Sequence, residues 1–79
     1  MEREEVKSVI ESLLFVADGP QTLQRFAEVL DGVDKQTLQD AINELQRELD
    51  AQNRGVQLVE VAGGYQLRTA KANADWVKK

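Results

Sequence analysis

Apolar positions along this chain follow a helical spacing, which gives way near residue 55 to short β-type runs. Val6, Ile10, Leu13, Leu14 and Ala17 recur three and four residues apart, predicting a helix over residues 2–17 with one buried stripe, widened by Val9 and Val16. Glu2, Glu4 and Glu5 occupy its first turn, where carboxylates favour the positive end of the helix dipole. Asp18-Gly19-Pro20 ends it, glycine suiting a left-handed cap and proline unable to continue the ladder. Thr22 then caps a short helix whose inner positions are Leu23, Phe26, Ala27 and Leu30, with Val29 beside them. After the turn Asp31-Gly32-Val33, Asp34 caps a third helix over residues 35–51, with Leu38, Ala41, Ile42, Leu45 and Leu49 facing inwards. A short helix, a tight glycine turn and a longer helix form a helix-turn-helix unit.

Past the break Gln52-Asn53-Arg54-Gly55 the period changes. Val56–Val61 is rich in β-branched residues and Tyr65–Thr69 alternates, so Gly63-Gly64 between them reads as a two-residue hairpin turn. That turn would set Val61 opposite Gln66, Glu60 opposite Leu67 and Val59 opposite Arg68. One face would carry Val56, Leu58, Tyr65 and Leu67 against the helices; the other would carry Val59, Val61, Gln66 and Arg68 outwards. Residues 71–79 read as the start of a further helix, capped by Asn73 and anchored by Trp76-Val77. The predicted fold class is α+β: a winged helix-turn-helix domain over residues 1–70, with a three-helix core and a C-terminal β-hairpin as its wing.

Three outward apolar sites invite two readings each. Phe15 lies roughly opposite the buried stripe of the first helix, either because that helix packs on two sides or because it meets a second chain. Val59 and Val61 either fill positions for their β-propensity or lie under the C-terminal segment, or else they face a partner.

Composition narrows the chemistry. Seventy-nine residues suffice for one small domain with a thin core. There is neither cysteine nor histidine, which removes disulfides, thiolate zinc sites and the commonest general base. Ser8 and Ser12 have no activating base, Asp40 and Glu44 sit on the polar face of a helix, and Gly63-Gly64 lacks a phosphate-binding pattern. No cofactor or metal is expected, and the chain reads as a non-enzyme. No apolar run is long enough to span a membrane, and the acidic start is unlike a signal peptide, so a soluble intracellular domain is expected.

Charge then separates two kinds of partner. The net charge of −4 is uneven: residues 34–50 hold five acids against two bases, whereas residues 54–79 hold five bases against two acids. A winged helix that reads DNA places its third helix in the major groove, with affinity resting on phosphate neutralisation. Here Lys35, Gln36 and Gln39 could reach bases and Arg68 could touch the backbone, as in a winged-helix transcriptional regulator. The acids along the same helix oppose that approach and favour a protein partner.

Two segments carry a family resemblance: residues 10–20, Ile-Glu-Ser-Leu-Leu-Phe-Val-Ala-Asp-Gly-Pro, and residues 54–69, with an Arg-Gly start, a Gly-Gly-Tyr turn and a Leu-Arg-Thr ending. With Trp76-Val77 near the end, the chain resembles the first winged-helix domain of the segregation and condensation protein B (ScpB) family, accessory subunits of bacterial SMC–kleisin condensins. The resemblance implies a structural role in chromosome condensation and segregation, in the cytoplasm at the nucleoid. It also implies homodimerisation largely through this domain, binding to the kleisin ScpA and through it to SMC, and residues 71–79 leading to a second winged-helix domain. The candidate partner-contact residues, chosen for expected exposure, are Phe15, Val59, Val61 and Trp76.

Overall fold

The computed structural model describes all of residues 1–79. Helices α1 (Arg3–Val16), α2 (Leu23–Val29) and α3 (Lys35–Ala51) precede an antiparallel hairpin of β1 (Val56–Val61) and β2 (Gly64–Thr69); a 3-10 turn (Lys71–Asn73) and the one-turn helix α4 (Ala74–Val77) follow. The winged helix-turn-helix expectation holds. The bounds of α3 fall where its amphipathic period runs out, and its five predicted inner residues are all buried. They meet Val6, Ile10 and Leu14 of α1, Phe26 and Leu30 from α2 and its end, and Leu58 of β1 in one core.

The ends of the helices are specific. Thr22 accepts a hydrogen bond from the Arg25 N–H at 3.0 Å, as its capping role requires. Asp34 and Asn73 hold the cap positions of α3 and α4 but make no side-chain capping bond. Gly19 does not enter the left-handed region; α1 stops because Ala17 turns extended. The left-handed terminator is instead Asn53 (φ 50°) after α3, where the Arg54 N–H reaches the Leu49 carbonyl at 3.2 Å and the Asn53 N–H that of Asp50 at 3.3 Å, a Schellman arrangement.

The hairpin corrects the expected register. Val61 pairs with Gly64, Glu60 with Tyr65, Val59 with Gln66 and Leu58 with Leu67, so the turn is Ala62-Gly63 rather than Gly63-Gly64. Gly63 supplies the positive φ (86°) at the second turn position. Gly64 is a strand residue, and it is needed for closeness rather than for turning. A Cβ there would lie 2.6 Å from the backbone oxygen of Gln21. Gln21 and Tyr65 exchange two main-chain hydrogen bonds of 2.8 Å, which ties the α1–α2 connection to the outer edge of β2. Pairing moved by two residues, not one, so the side-chain faces stayed as expected: Leu58, Tyr65 and Leu67 still pack inwards.

Candidate protein-interaction surface

One helix sets the surface apart from the core. On α1, Val6, Ile10 and Leu14 are buried, yet the last turn carries Phe15 and Val16 into solvent at 81% and 72% exposure. Val16, expected on the buried stripe, is a correction. It lies two helical turns beyond half-buried Val9, but α2 does not close over it, and a cleft of about 180 Å³ bordered by Val16, Phe26 and Val29 remains. On the other side of the Phe15–Val16 ridge, a groove of about 750 Å³ runs between α1 and β2. Leu14, Val56 and Leu67 give it apolar lining; Glu11 stands on the helix side and Arg54 and Arg68 on the hairpin side. None of these three charged groups takes part in an ion pair within the chain; Arg54 and Arg68 donate only to Gln52 and Gln66.

The four predicted contact residues do not form one patch. Phe15 borders the groove; Val59 and Val61 are half-buried on the outward face of β1; Trp76 is 72% exposed on α4. Trp76 and Val77 are exposed and outside the core, so they do not anchor α4 to the domain, and the Lys79 ammonium stands 5.6 Å from the centroid of the Trp76 ring.

Of the groups expected to touch DNA, Gln36 and Gln39 are turned to internal bonding, while Lys35 is exposed. The Gln36 amide donates to Asp40 at 2.8 Å; Gln39 donates to Asn43 at 3.1 Å and accepts from the Tyr65 hydroxyl at 3.2 Å. Sequence reasoning missed Lys7, which is 5% exposed. Its ammonium reaches Glu44 at 2.7 Å, Glu48 at 2.5 Å and Glu4 at 3.0 Å, and Arg3 adds a 3.1 Å contact to Glu44. These bonds, that to Glu44 foremost, raise the Lys7 pKa above its ordinary value, and the same bond holds the Glu44 carboxyl below its own. Part of the acidity counted on α3 is thus neutralised inside the domain, clamping α1 to α3. The signal was present in sequence only as a lysine adjoining the apolar stripe with Glu4 three positions before it; the two partners on α3 lie 37 and 41 positions away.

No group of histidine, cysteine or carboxylate side chains is arranged to hold a metal, and no helix is long and apolar enough to cross a membrane. What the fold and its exposed ridge define is a winged-helix domain with an apolar groove flanked by charge.

Comparison with known proteins sharpens that class. Residues 8–79 match the family described as segregation and condensation complex subunit ScpB. The chain belongs to the ScpB family. A segregation and condensation protein B from Syntrophotalea carbinolica is 42% identical over all 79 residues, although the chain spans only 40% of that relative. A crystal structure of a dimer of the ScpB N-terminal domain complexed with ScpA peptide matches with 36% identity and a TM-score of 0.86, covering 95% of this chain and 93% of that one. ScpB from Mycobacterium tuberculosis shares the fold at a TM-score of 0.93 and 24% identity, covering 99% of this chain and 48% of that one.

Proposed function

We propose that this domain is a non-enzymatic adapter of a bacterial SMC–kleisin condensin: it pairs with a second copy and binds the ScpA kleisin, acting in chromosome condensation and segregation in the cytoplasm at the nucleoid. The observation that carries this is the match to an ScpB N-terminal domain described as a dimer with an ScpA peptide, nearly end to end on both chains. The exposed ridge of Phe15 and Val16 supports it, since an apolar surface that the fold leaves open is one a partner can bury. Phe15, Val59, Val61 and Trp76 are the proposed contacts. Because they are spread over α1, the wing and α4, they suit more than one partner surface. The mechanism is mechanical: a rigid, paired platform holds one kleisin and biases its path between the SMC heads. Residues 71–79 would lead into a second winged-helix domain.

The competing reading is a winged-helix DNA reader. It is disfavoured because Gln36 and Gln39 are engaged by neighbouring side chains and Asp34, Asp40 and Asp50 remain on α3 or at its start. Titrating the chain with a peptide from the central region of ScpA, and separately with a labelled DNA duplex at low salt, tests both. Saturable peptide binding at about micromolar Kd or tighter is expected. Peptide binding absent while DNA binding is saturable and steeply salt-sensitive would overturn the adapter role.

A further inference from the structure

We infer that residues 71–79 form an arm that pivots at Ala70, and that the Gln57 side chain is the catch that sets the direction in which the arm leaves the domain. The change from body to arm is abrupt. Ala70 is 8% exposed, and every residue after it is exposed. The Ala70 N–H donates to the Gly55 carbonyl at 2.9 Å, which carries the β1–β2 ladder one step past Thr69. The Ala70 carbonyl belongs to the other side of the boundary: it accepts from the Asn73 N–H at 2.9 Å and closes the 3-10 turn. The amide of Ala70 is thus held by the sheet and its carbonyl by the arm, and the two dihedrals between them (φ −61°, ψ 137°) are the joint. Trp76 and Val77 lie outside the core, so α4 takes no hold of its own on the body.

One bond from the body bears on that joint. The Lys71 N–H donates to Gln57 Oε1 at 3.4 Å, and Gln57 stands half-buried on the outward face of β1. The bond is long and faces water, so it fixes a direction without locking it. Little else would hold the arm there. A cavity of about 360 Å³ separates its start, at Ala72 and Asn73, from Leu49 and Asp50 at the end of α3. An arm packed on α3 would need no catch. One that stands off across a cavity takes its direction from the side chain that reaches it, and whatever the arm carries inherits that direction. This goes beyond the adapter reading and holds whether or not the domain binds ScpA.

The chain has no cysteine, so nitroxide labels at Ser8→Cys on α1 and Asp75→Cys on α4 report the direction of the arm as a distribution of distances. With Gln57 in place the distribution should be a single narrow peak. Gln57→Leu keeps the bulk of the side chain and removes the acceptor. It should widen the peak about twofold, and the amide order parameters of Lys71, Ala72 and Asn73 should fall from about 0.85 to about 0.6. Gln57→Glu keeps an acceptor at the same reach and should keep the narrow peak. Amide shifts of the core residues Ile10 and Leu45 should stay in place in both variants, which separates a released arm from a loosened domain. A distribution already broad with Gln57 in place would overturn the catch. So would one that Gln57→Leu leaves unchanged, or that Gln57→Glu broadens as much as Gln57→Leu does.

Discussion

Lys7 and Phe15 lie eight residues apart on one helix, and each is where its chemistry alone would not put it. The lysine is 5% exposed and the phenylalanine 81%. The lysine is inside because its ammonium has three carboxylates within 3.0 Å and its stem can lie along apolar neighbours. The phenylalanine is outside because nothing in the chain comes over the last turn of α1. Burial on this helix is therefore decided by what the rest of the fold brings near, and residue type decides only what that burial is worth. The fold uses the charged residue to fix α1 against α3 and leaves the apolar one free.

Four substitutions can break or sharpen this contrast. The largest effect is expected at the true core between the two residues: Ile10→Ala should cost about 2–5 kcal/mol in urea unfolding. A loss under about 1 kcal/mol would mean that α1 is held by something other than its buried stripe. The same distinction between space and residue type is found in the wing. Gly64→Ala forces a Cβ against the Gln21 backbone and should cost about 1–3 kcal/mol. Amide exchange should show the Tyr65 N–H losing its protection, and unchanged protection there would contradict the close approach.

Next comes Lys7→Met, which leaves Glu44 and Glu48 beside each other with only Arg3 near Glu44. Both carboxylates keep partial access to water, so the melting temperature should fall by less than for the first two. Its distinguishing mark is pH dependence. The folded pKa of Glu44 lies below its ordinary 4.5, so its stabilisation is present above that value and is lost as pH falls from there through the folded pKa. The folded pKa of Lys7 lies above its ordinary 10.5, so its contribution is complete below 10.5 and fades only as pH rises through the folded value. The unaltered chain should show a flat neutral plateau and an acid decline beginning near pH 4.5; in Lys7→Met that decline should shrink. An identical acid profile in both would remove Lys7 as the cause. The smallest effect on stability is expected for Phe15→Ala, within about 0.5 kcal/mol of the unaltered chain. A larger loss in the monomer would show that Phe15 packs at home.

How much of the fold was legible in sequence follows from the range of each interaction. The α3 helix was readable in full because its period is local and uninterrupted. The faces of the hairpin were readable because alternation survives an even shift in pairing. The register was not, because two glycines stand in a row and what separates Gly63 from Gly64 is a contact with Gln21, more than forty residues away. Lys7 was hidden for the same reason: spacing shows which residues share a face but not which charge lies across from it. Among the candidate contacts, the exposure of Phe15 and Trp76 could be anticipated, whereas Val59 and Val61, expected to be exposed, are half-buried; the exposure of Val16, which was not a candidate, depended on where α2 stops short. That the candidates fall on separate surfaces could not be read until the helix ends were placed.

The hydrogen bonds of Gln21 and Gln46 also bear on how the chain behaves in concentrated solution. Gln21 occupies the outer edge of β2 at Tyr65 through its main chain, and the Gln46 side chain donates to the Leu58 carbonyl, on the outer edge of β1, at 2.9 Å. Outward-facing main-chain groups recur only at every second residue, so one occupied position near the middle or start of a six-residue strand leaves no long template on either side. A two-stranded sheet with both edges open would recruit strands from its neighbours and grow into fibrils. With a glutamine on each edge, growth by strand addition is interrupted, and the domain can be held at high local density while its contacts are made through side chains.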